Sequence, residues 1–243
     1  MVHFILMQKF FKMSILKANG LALEKILVTP DTTKKNMDKK DILVLHNAGV
    51  VRRINEKKVI QVSDVTIKYV YFLQRGLIKI SNISETGEEL IKYFIKPGVI
   101  FGELNLLDNE ENQNEMAIAL EDCEVCFIPV ETVKQLMVTN SAFRKSIHHF
   151  IGKRIKKMEE RMYSLMLKDV KERILDFLKE FVIEFGHPVN GGYTAKNFLK
   201  HEDIARITTT SRQSVTTTLV YFKKHGLIDY DTHNLSVFNF QNS

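Results

Sequence analysis

The hydrophobic pattern of this chain changes its period once, near Val130, and that change limits the folds available to it. From Asp41 to Pro129, short apolar or alternating runs are separated by turn residues such as Gly76, Gly87 and Pro97–Gly98. Many short runs rich in β-branched and aromatic residues predict an all-β barrel or sandwich. Such a roll encloses a cavity suited to a small ligand. After Val130 the apolar residues recur with a helical period.

A long amphipathic segment without proline follows Asn140. Its apolar residues recur first every four positions and then with heptad spacing: Phe143, Ile147, Ile151, Ile155, Met158, Met162 and Leu165. A seam of this kind with charged flanks is typical of helices that pair across a two-fold axis. The alternative is packing on the chain's own barrel, but a helix roughly 40 Å long would be covered there only in part. We therefore expect a homodimer with these residues at its interface.

Two short helices joined by a tight turn are predicted over His201–Ile228. The first covers about His201–Ile207, and the second runs from a cap at Ser211 to about Lys224. Their apolar faces are formed by Ile204 and Ala205 on the first helix and by Val215, Leu219 and Phe222 on the second. The opposite face of the second helix has no acidic residue and carries Arg212, Gln213, Thr216 and Thr217. Such a helix is suited to enter the major groove of DNA, and the β-hairpin predicted after it would form a wing.

The charge distribution is more informative than the net charge of +6. Residues 1–40 hold eight lysines against three acidic residues, which is nearly the whole excess. From Ile204 to Ile228 there are four basic residues and no acidic one. A local patch of this kind is what phosphate neutralisation requires, so the argument for DNA binding depends on this stretch.

Several classes of function are disfavoured by what the sequence lacks. No apolar run is long enough to span a membrane, and the N-terminus does not have the pattern of a signal peptide, so we expect a cytoplasmic protein. Translation could also start at Met13. Cys123 and Cys126 lie three apart on a predicted strand and point to opposite faces, which disfavours a disulfide or a shared metal. We find no catalytic triad, phosphate-binding loop or dinucleotide motif, so we expect neither an enzyme nor a bound cofactor or metal.

The order of a β-roll, a long helix, a helix-turn-helix and a wing resembles the Crp/Fnr family of bacterial transcription regulators over about residues 41–240. The matching stretches are YVYFLQRGLIKI, GEELIKYFIKPGVIFGELNLL, ALEDCEVCFIP and EDIARITTTSRQSVTTTLVYFKKHGLI. The resemblance implies an α+β chain with an N-terminal double-stranded β-helix (jelly-roll, cyclic-nucleotide-binding-like) and a C-terminal winged helix-turn-helix. It also implies a homodimer that binds inverted-repeat promoter DNA and contacts RNA polymerase.

The predicted effector site departs from this family. Members that bind cyclic AMP carry an arginine for the cyclic phosphate about nine residues after a Gly-Glu-Leu motif. The motif is present here, and the candidate pocket consists of Gly102, Glu103, Leu104, Gln113 and Asn114. However, no Arg or Lys lies between Lys96 and Lys134, so we expect neither cyclic AMP nor cyclic GMP to bind. The cysteines that ligate an iron–sulfur cluster near the N-terminus of oxygen-sensing members are also missing. An unknown small-molecule effector is left open.

In the DNA-reading unit, the resemblance assigns Arg212 to a guanine edge and makes Gln213 and Thr217 the variable base contacts. The remaining candidates for contacts to DNA are Ser211, Thr210, Thr216 and Lys200. The threonine runs are equally well explained as ordinary polar surface. Thr209 stands where the motif often has glycine, so we expect a strained turn or a turn of another form.

The predicted organisation has four parts. They are an N-terminal tail or docking segment (1–40), a sensor roll (41–135), a dimerisation helix (136–167) and a DNA-binding domain (168–243). We expect a sequence-specific transcription regulator. The alternative is a small-molecule sensor or protein-interaction module whose DNA-binding domain is vestigial.

Overall fold

A computed structural model describes residues 39–61, 68–106 and 115–238. Residues 1–38 of the predicted N-terminal segment, together with Gln113 and Asn114 of the candidate pocket, lie outside these residues. The chain divides into two compact units. Of the described residues, the first unit holds 39–61, 68–78, 95–106 and 118–148, and the second holds 79–94, 115–117 and 149–238.

The region before residue 130 is built mostly from strands, as predicted. The prediction is wrong for residues 41–48, which were assigned to the all-β region but belong to a helix. That helix is α1 (Lys39–Ala48), and the strands are β1 (Val50–Ile54), β2 (Val59–Gln61), β3 (Tyr69–Arg75), β4 (Ile78–Ile83), β5 (Glu89–Ile95), β6 (Ile100–Phe101), β7 (Glu115–Ala119) and β8 (Cys123–Pro129). They form two four-stranded sheets with the orders β1-β8-β3-β6 and β2-β7-β4-β5. A short 3-10 helix, Glu103–Leu106, follows β6.

The core of the first unit is centred on β3. Its residues from Val70 to Leu73 are fully or almost fully buried. The ring of Tyr71 stacks on Phe101 with a centroid distance of 4.9 Å and meets Phe127 edge-on at 5.0 Å. Burial raises the pKa of Tyr71 to about 12. A run buried on both faces explains why the β3 sequence is continuously apolar and aromatic rather than alternating.

The helices that follow match the predicted change of period. They are α2 (Val130–Thr139), α3 (Ser141–Leu167), α4 (Val170–Phe185), α5 (His201–Thr208) and α6 (Arg212–Lys224). Asp169 caps α4: its side chain accepts from the backbone N–H of Glu172, whose carboxylate accepts from the N–H of Asp169 in return. This reciprocal capping fixes the start of a new helix directly after α3.

The remaining four strands form a sheet in the second unit. They are β9 (Gly186–Val189), β10 (Gly192–Lys196), β11 (Ile228–Tyr230) and β12 (Asn234–Phe238), and the sheet order is β11-β12-β10-β9. The wing hairpin β11–β12 is therefore present as predicted. The hairpin β9–β10 was not predicted from the sequence. Its short Gly- and Pro-containing strands lack an alternating pattern and are defined by the pairing of β9 with β10 and of β10 with β12.

Helix α4 packs on β9, β10 and β12 and on both helices of the helix-turn-helix. An aromatic cluster fills this core. Phe198 lies 4.9 Å from Phe181, 5.3 Å from Phe185 and 5.3 Å from Phe94, measured between ring centroids. Phe94 belongs to β5, so a strand of the predicted roll contributes to the core that supports the helix-turn-helix.

Candidate nucleic-acid interface

The two predicted helices form a helix-turn-helix with the expected buried faces. α5 ends at Thr208, one residue later than predicted, and α6 covers Arg212–Lys224. The apolar side chains that the pattern selects are all buried: Ile204, Ala205, Val215, Leu219 and Phe222. The opposite face of α6 is therefore turned to solvent by the packing of the unit itself.

The exposed side chains of this face include all the predicted base contacts. Arg212, Gln213, Thr216 and Thr217 are exposed, and Lys200 is exposed just before α5. The hydroxyl of Thr216 donates to Arg212 O at 3.0 Å, and that of Thr217 donates to Gln213 O at 3.1 Å. Because each threonine hydrogen is used by the helix itself, Thr217 can offer its hydroxyl oxygen and its methyl group to a base edge. The Thr216 oxygen also lies 2.9 Å from His201 Nδ1, so Thr216 offers chiefly its methyl group.

Ser211 and Thr210, two of the predicted contacts to DNA, have structural roles at the start of α6. Ser211 is the N-cap, and its hydroxyl accepts from the backbone N–H of Ser214 at 3.0 Å. The backbone N–H of Thr210 donates to Ala205 O at 2.9 Å. Capping and the absence of acid from the first turn leave a partial positive charge at the exposed N-terminus of α6, where a phosphate or a base edge would approach.

The turn between the helices adopts the glycine-type conformation without a glycine. Thr209 has φ 54° and ψ 59°, which is left-handed. A β-branched residue is strained there. Of the two forms that the sequence allowed, a strained turn or another geometry, the structure shows the first.

The basic patch is smaller than the sequence indicates, because two of its four cations are paired. Arg206 contacts Glu89 on β5, and its Nε donates to Glu202 at 3.1 Å. Lys79 on β4 lies 2.8 Å from the same Glu89. These acids lie outside the stretch Ile204–Ile228, so the acid-free character of that stretch does not make Arg206 available to phosphate.

Glu89 is stabilised as an anion by this network. Burial alone would raise the pKa of its carboxyl group, but hydrogen bonds from Lys79 and Ser81 and the charges of Lys79 and Arg206 hold it below its ordinary value. Lys79 also lies 3.8 Å from Asp203 on α5. Strands β4 and β5 are thus joined to the first helix of the motif by charged groups.

At the other end of the motif, Lys223 is paired with Asp229 at 2.7 Å. This contact raises the pKa of Lys223. Among the described residues, Lys200, Arg212 and Lys224 are the basic side chains around α5 and α6 that have no side-chain hydrogen bond or ion pair within the chain. The electrostatic attraction for DNA would therefore be concentrated at the two ends of α6 and at the start of α5.

The predicted dimer seam on α3 separates into two parts. Phe143 and Ile147 are completely buried by the chain itself, and Ile151 is half-buried. The exposed part is continuous along the C-terminal half of α3. It consists of Ile155, Met158, Met162 and Leu165, together with Tyr163, Met166 and Leu167, which the seam did not include. A partner helix could contact this second part only.

The described part of the candidate pocket has a structural explanation. Gly102 has φ +72°, and an added Cβ would lie 2.8 Å from the ring of Tyr71. Glu103 is buried, whereas Leu104 is 38% exposed. Gly102 is thus required by the backbone and by the close approach of Tyr71, whether or not a ligand binds.

A cation from outside the stretch between Lys96 and Lys134 pairs with a residue inside that stretch. Lys92 on β5 contacts the buried carboxylate of Glu115 on β7. This cation comes from β5, which precedes Lys96, so the sequence between Lys96 and Lys134 alone does not indicate it. Since Glu115 already pairs with it, Lys92 does not offer an unneutralised charge to a cyclic phosphate.

The remaining candidates do not form a reactive site in the described part of the chain. Cys123 and Cys126 are buried free thiols, and burial raises the pKa of Cys126 to about 11. The described residues contain no group of three or more His, Cys, Asp or Glu placed to hold a metal ion. Within the same residues, no helix combines the length and the apolar character that crossing a membrane would require.

Comparisons with known proteins agree with this architecture. The model of the cyclic nucleotide-binding domain family matches residues 51–140. The global nitrogen regulator of Nostoc sp. is 28% identical over 189 residues, which cover 77% of this chain and 85% of that protein. The anaerobic regulatory protein of Bacillus subtilis is 25% identical over 162 residues, covering 67% of this chain and 68% of that protein.

Among solved structures, FixK2 from Bradyrhizobium japonicum is similar with a TM-score of 0.67 at 18% identity. The match covers 80% of this chain and 93% of FixK2. At this identity the likeness establishes the fold, and it confirms the predicted class of a jelly-roll followed by a helix-turn-helix domain. The curated relatives named above are regulators rather than enzymes.

Proposed function

We propose that this chain, a member of the Crp/Fnr family of transcription regulators, acts as a homodimer that binds inverted-repeat promoter DNA through α6. The observation that carries this proposal is the exposed first turn of α6. Arg212 and Gln213 project from a helix that is capped by Ser211, has no acid in its first turn and is buried on its other side. This is the arrangement with which a recognition helix reads base edges in the major groove.

The base contacts that we propose follow from side-chain chemistry. The guanidinium of Arg212 can donate two hydrogen bonds to one guanine, and the amide of Gln213 can pair with an adenine. Thr217 can place its methyl group against a thymine, because its hydroxyl hydrogen is used within the helix. Thr216 would lie beside it, while Lys200 and the region of Thr210 and Ser211 would face the DNA backbone.

The exposed apolar half of α3 supports a dimer. Met158, Met162 and Leu165 are 63%, 59% and 41% exposed in the single chain, which is unfavourable for a row of large apolar residues on one helix. An identical helix across a two-fold axis would bury them. It would also place two copies of α6 on half-sites about one DNA turn apart.

The effector is the open part of the proposal. We infer that neither cyclic AMP nor cyclic GMP is bound, because no Arg or Lys lies between Lys96 and Lys134 and, among the described residues, Lys92 is paired with Glu115. Another small molecule could control the roll. We further propose contact with RNA polymerase, a cytoplasmic location and the four-part organisation predicted from the sequence.

A binding experiment tests this function. A DNA site is selected from a random pool with the full-length protein, and its affinity is compared between wild type and Arg212→Ala. We expect loss of roughly 1–3 kcal/mol of specific binding and relaxed preference at one base of each half-site. Arg53→Ala is the control, because Arg53 is 87% exposed on β1 and its loss changes the net charge equally. Equal affinity and specificity of wild type and Arg212→Ala would contradict the assignment.

The alternative is a sensor whose DNA-binding domain is vestigial. The pairing of Arg206 and Lys223 favours it, since these cations are neutralised within the chain. A wild-type protein with no salt-dependent DNA binding and with a small molecule co-purifying would support this alternative.

A further inference from the structure

Two arginines that the sequence pattern places on helix surfaces meet at the turn of the helix-turn-helix. Arg161 belongs to α3, and Arg173 belongs to α4. Both are half-buried, although Arg161 falls among charged residues on the flank of the predicted dimer helix. Neither arginine belongs to α6, so neither is one of the proposed base contacts.

These arginines donate to the three successive backbone carbonyls that end α5. Arg161 Nη2 donates to Ile207 O. Arg173 Nε donates to Thr208 O at 3.2 Å, and its Nη2 donates to Thr209 O at 3.4 Å. The last carbonyls of a helix have no partner within the helix and carry its negative dipole end, so cationic donors are especially favourable there.

The same side chains also hold backbone outside the motif. Arg161 Nη1 donates to Ile91 O at 3.0 Å and to Lys92 O at 3.1 Å, both on β5. Arg173 Nη1 donates to Lys168 O at 2.9 Å, in the connection between α3 and α4. The turn at Thr209 is thus fixed to β5 and to the α3–α4 connection by two planar guanidinium groups.

We propose that Arg161 and Arg173 are positioning residues for DNA recognition: together they hold the left-handed turn at Thr209 and so set the direction of α6. A turn with a non-glycine residue at φ 54° persists only when its surroundings stabilise it. The two guanidinium groups supply that stabilisation at the carbonyls of the turn itself. This inference rests on the proposed function for its effect on DNA, but its effect on the turn is independent of DNA.

The first readout is hydrogen exchange of the full-length protein, measured on peptides that cover residues 205–212. Arg161→Ala and Arg173→Ala are compared with wild type. We expect faster exchange at this turn, including the Thr210 amide that donates to Ala205 O. Lys156→Ala is the control, since Lys156 is exposed on α3 and its one ion pair among the described residues is with Glu160 on the same helix, at 3.8 Å. Unchanged exchange at the turn in both arginine variants would overturn the proposal.

The second readout separates positioning from direct phosphate contact. If the arginines act by positioning, specific affinity falls on the order of tenfold, as when one base contact is impaired, while non-specific affinity and the salt slope stay unchanged. If they bind phosphate, specific and non-specific affinity fall together and the salt slope decreases by about one. The second result, or an unchanged specific affinity, would overturn the proposal.

Folding and the proposed function are controlled separately. Arg173→Lys keeps the charge but cannot reach both turn carbonyls, so we expect a loss of specific affinity close to that of Arg173→Ala. Should the alanine variants melt below the assay temperature, this variant decides the question. A wild-type protein without sequence preference would refute the proposed function, and the exchange measurement would then decide whether the arginines hold the turn.

Discussion

Replacing Thr209 by glycine should stabilise the protein. A left-handed conformation is less favourable for an L-residue by about 1–2 kcal/mol, and Thr209 has φ 54° and ψ 59°. Glycine removes this strain, but the greater freedom of glycine in the unfolded chain offsets roughly 0.5–1 kcal/mol. Thr209 is exposed, so little packing is lost. The expected net gain is about 0.5–1 kcal/mol, or a rise of about 1–4 °C in Tm for a chain of this size.

Calorimetry of the full-length protein can resolve a shift of this size with a matched control. Thr210 is the next residue and does not have positive φ. Thr210→Gly therefore gains the unfolded-state freedom without relief of strain, and its Tm should fall. A Tm that falls equally in Thr209→Gly and Thr210→Gly would show that the turn is not strained. Arg173→Ala should also be less harmful to specific binding in the Thr209→Gly background, because the glycine turn needs less support.

Three further predictions concern other parts of the molecule. Met158→Glu should yield monomers by sedimentation with an unchanged monomer fold, and persistent dimers would remove Met158 from the interface. Glu89→Gln leaves Lys79 and Arg206 without their shared anion, so stability at pH 7 should fall by about 1–3 kcal/mol in urea titrations. Because the pKa of Glu89 is lowered, its contribution is present above its ordinary value of 4.5 and is lost as the pH falls through the lowered pKa; a variant with unchanged stability would contradict this role. Burial lowers the pKa of His46 below 6.5, so wild-type stability should decline as the pH falls from 6.5 towards the folded pKa, and His46→Gln should remove that decline.

The helices and their buried faces could be predicted from the sequence because their signals are local. The cap at Ser211 and the period of Val215, Leu219 and Phe222 define α6 to within a residue. The hairpin β9–β10 could not be predicted in this way. Its sequence contains Gly186, Pro188 and two further glycines, and its strands form by pairing with each other and with a strand that lies about 40 residues further along the chain.

The charged residues also show the difference between what local sequence determines and what contacts between distant segments decide. The sequence alone determined that no acid lies between Ile204 and Ile228 and that Thr209 replaces the usual turn glycine. Only the tertiary structure decided that Glu89, 117 positions away from Arg206, pairs with that arginine. Only the tertiary structure also decided that Arg161 and Arg173 donate hydrogen bonds to the backbone carbonyls at the end of α5. The physical reason is the range of the interactions. Periodicity and capping act within a few residues of the chain, whereas ion pairs and carbonyl contacts depend on which segments folding brings together.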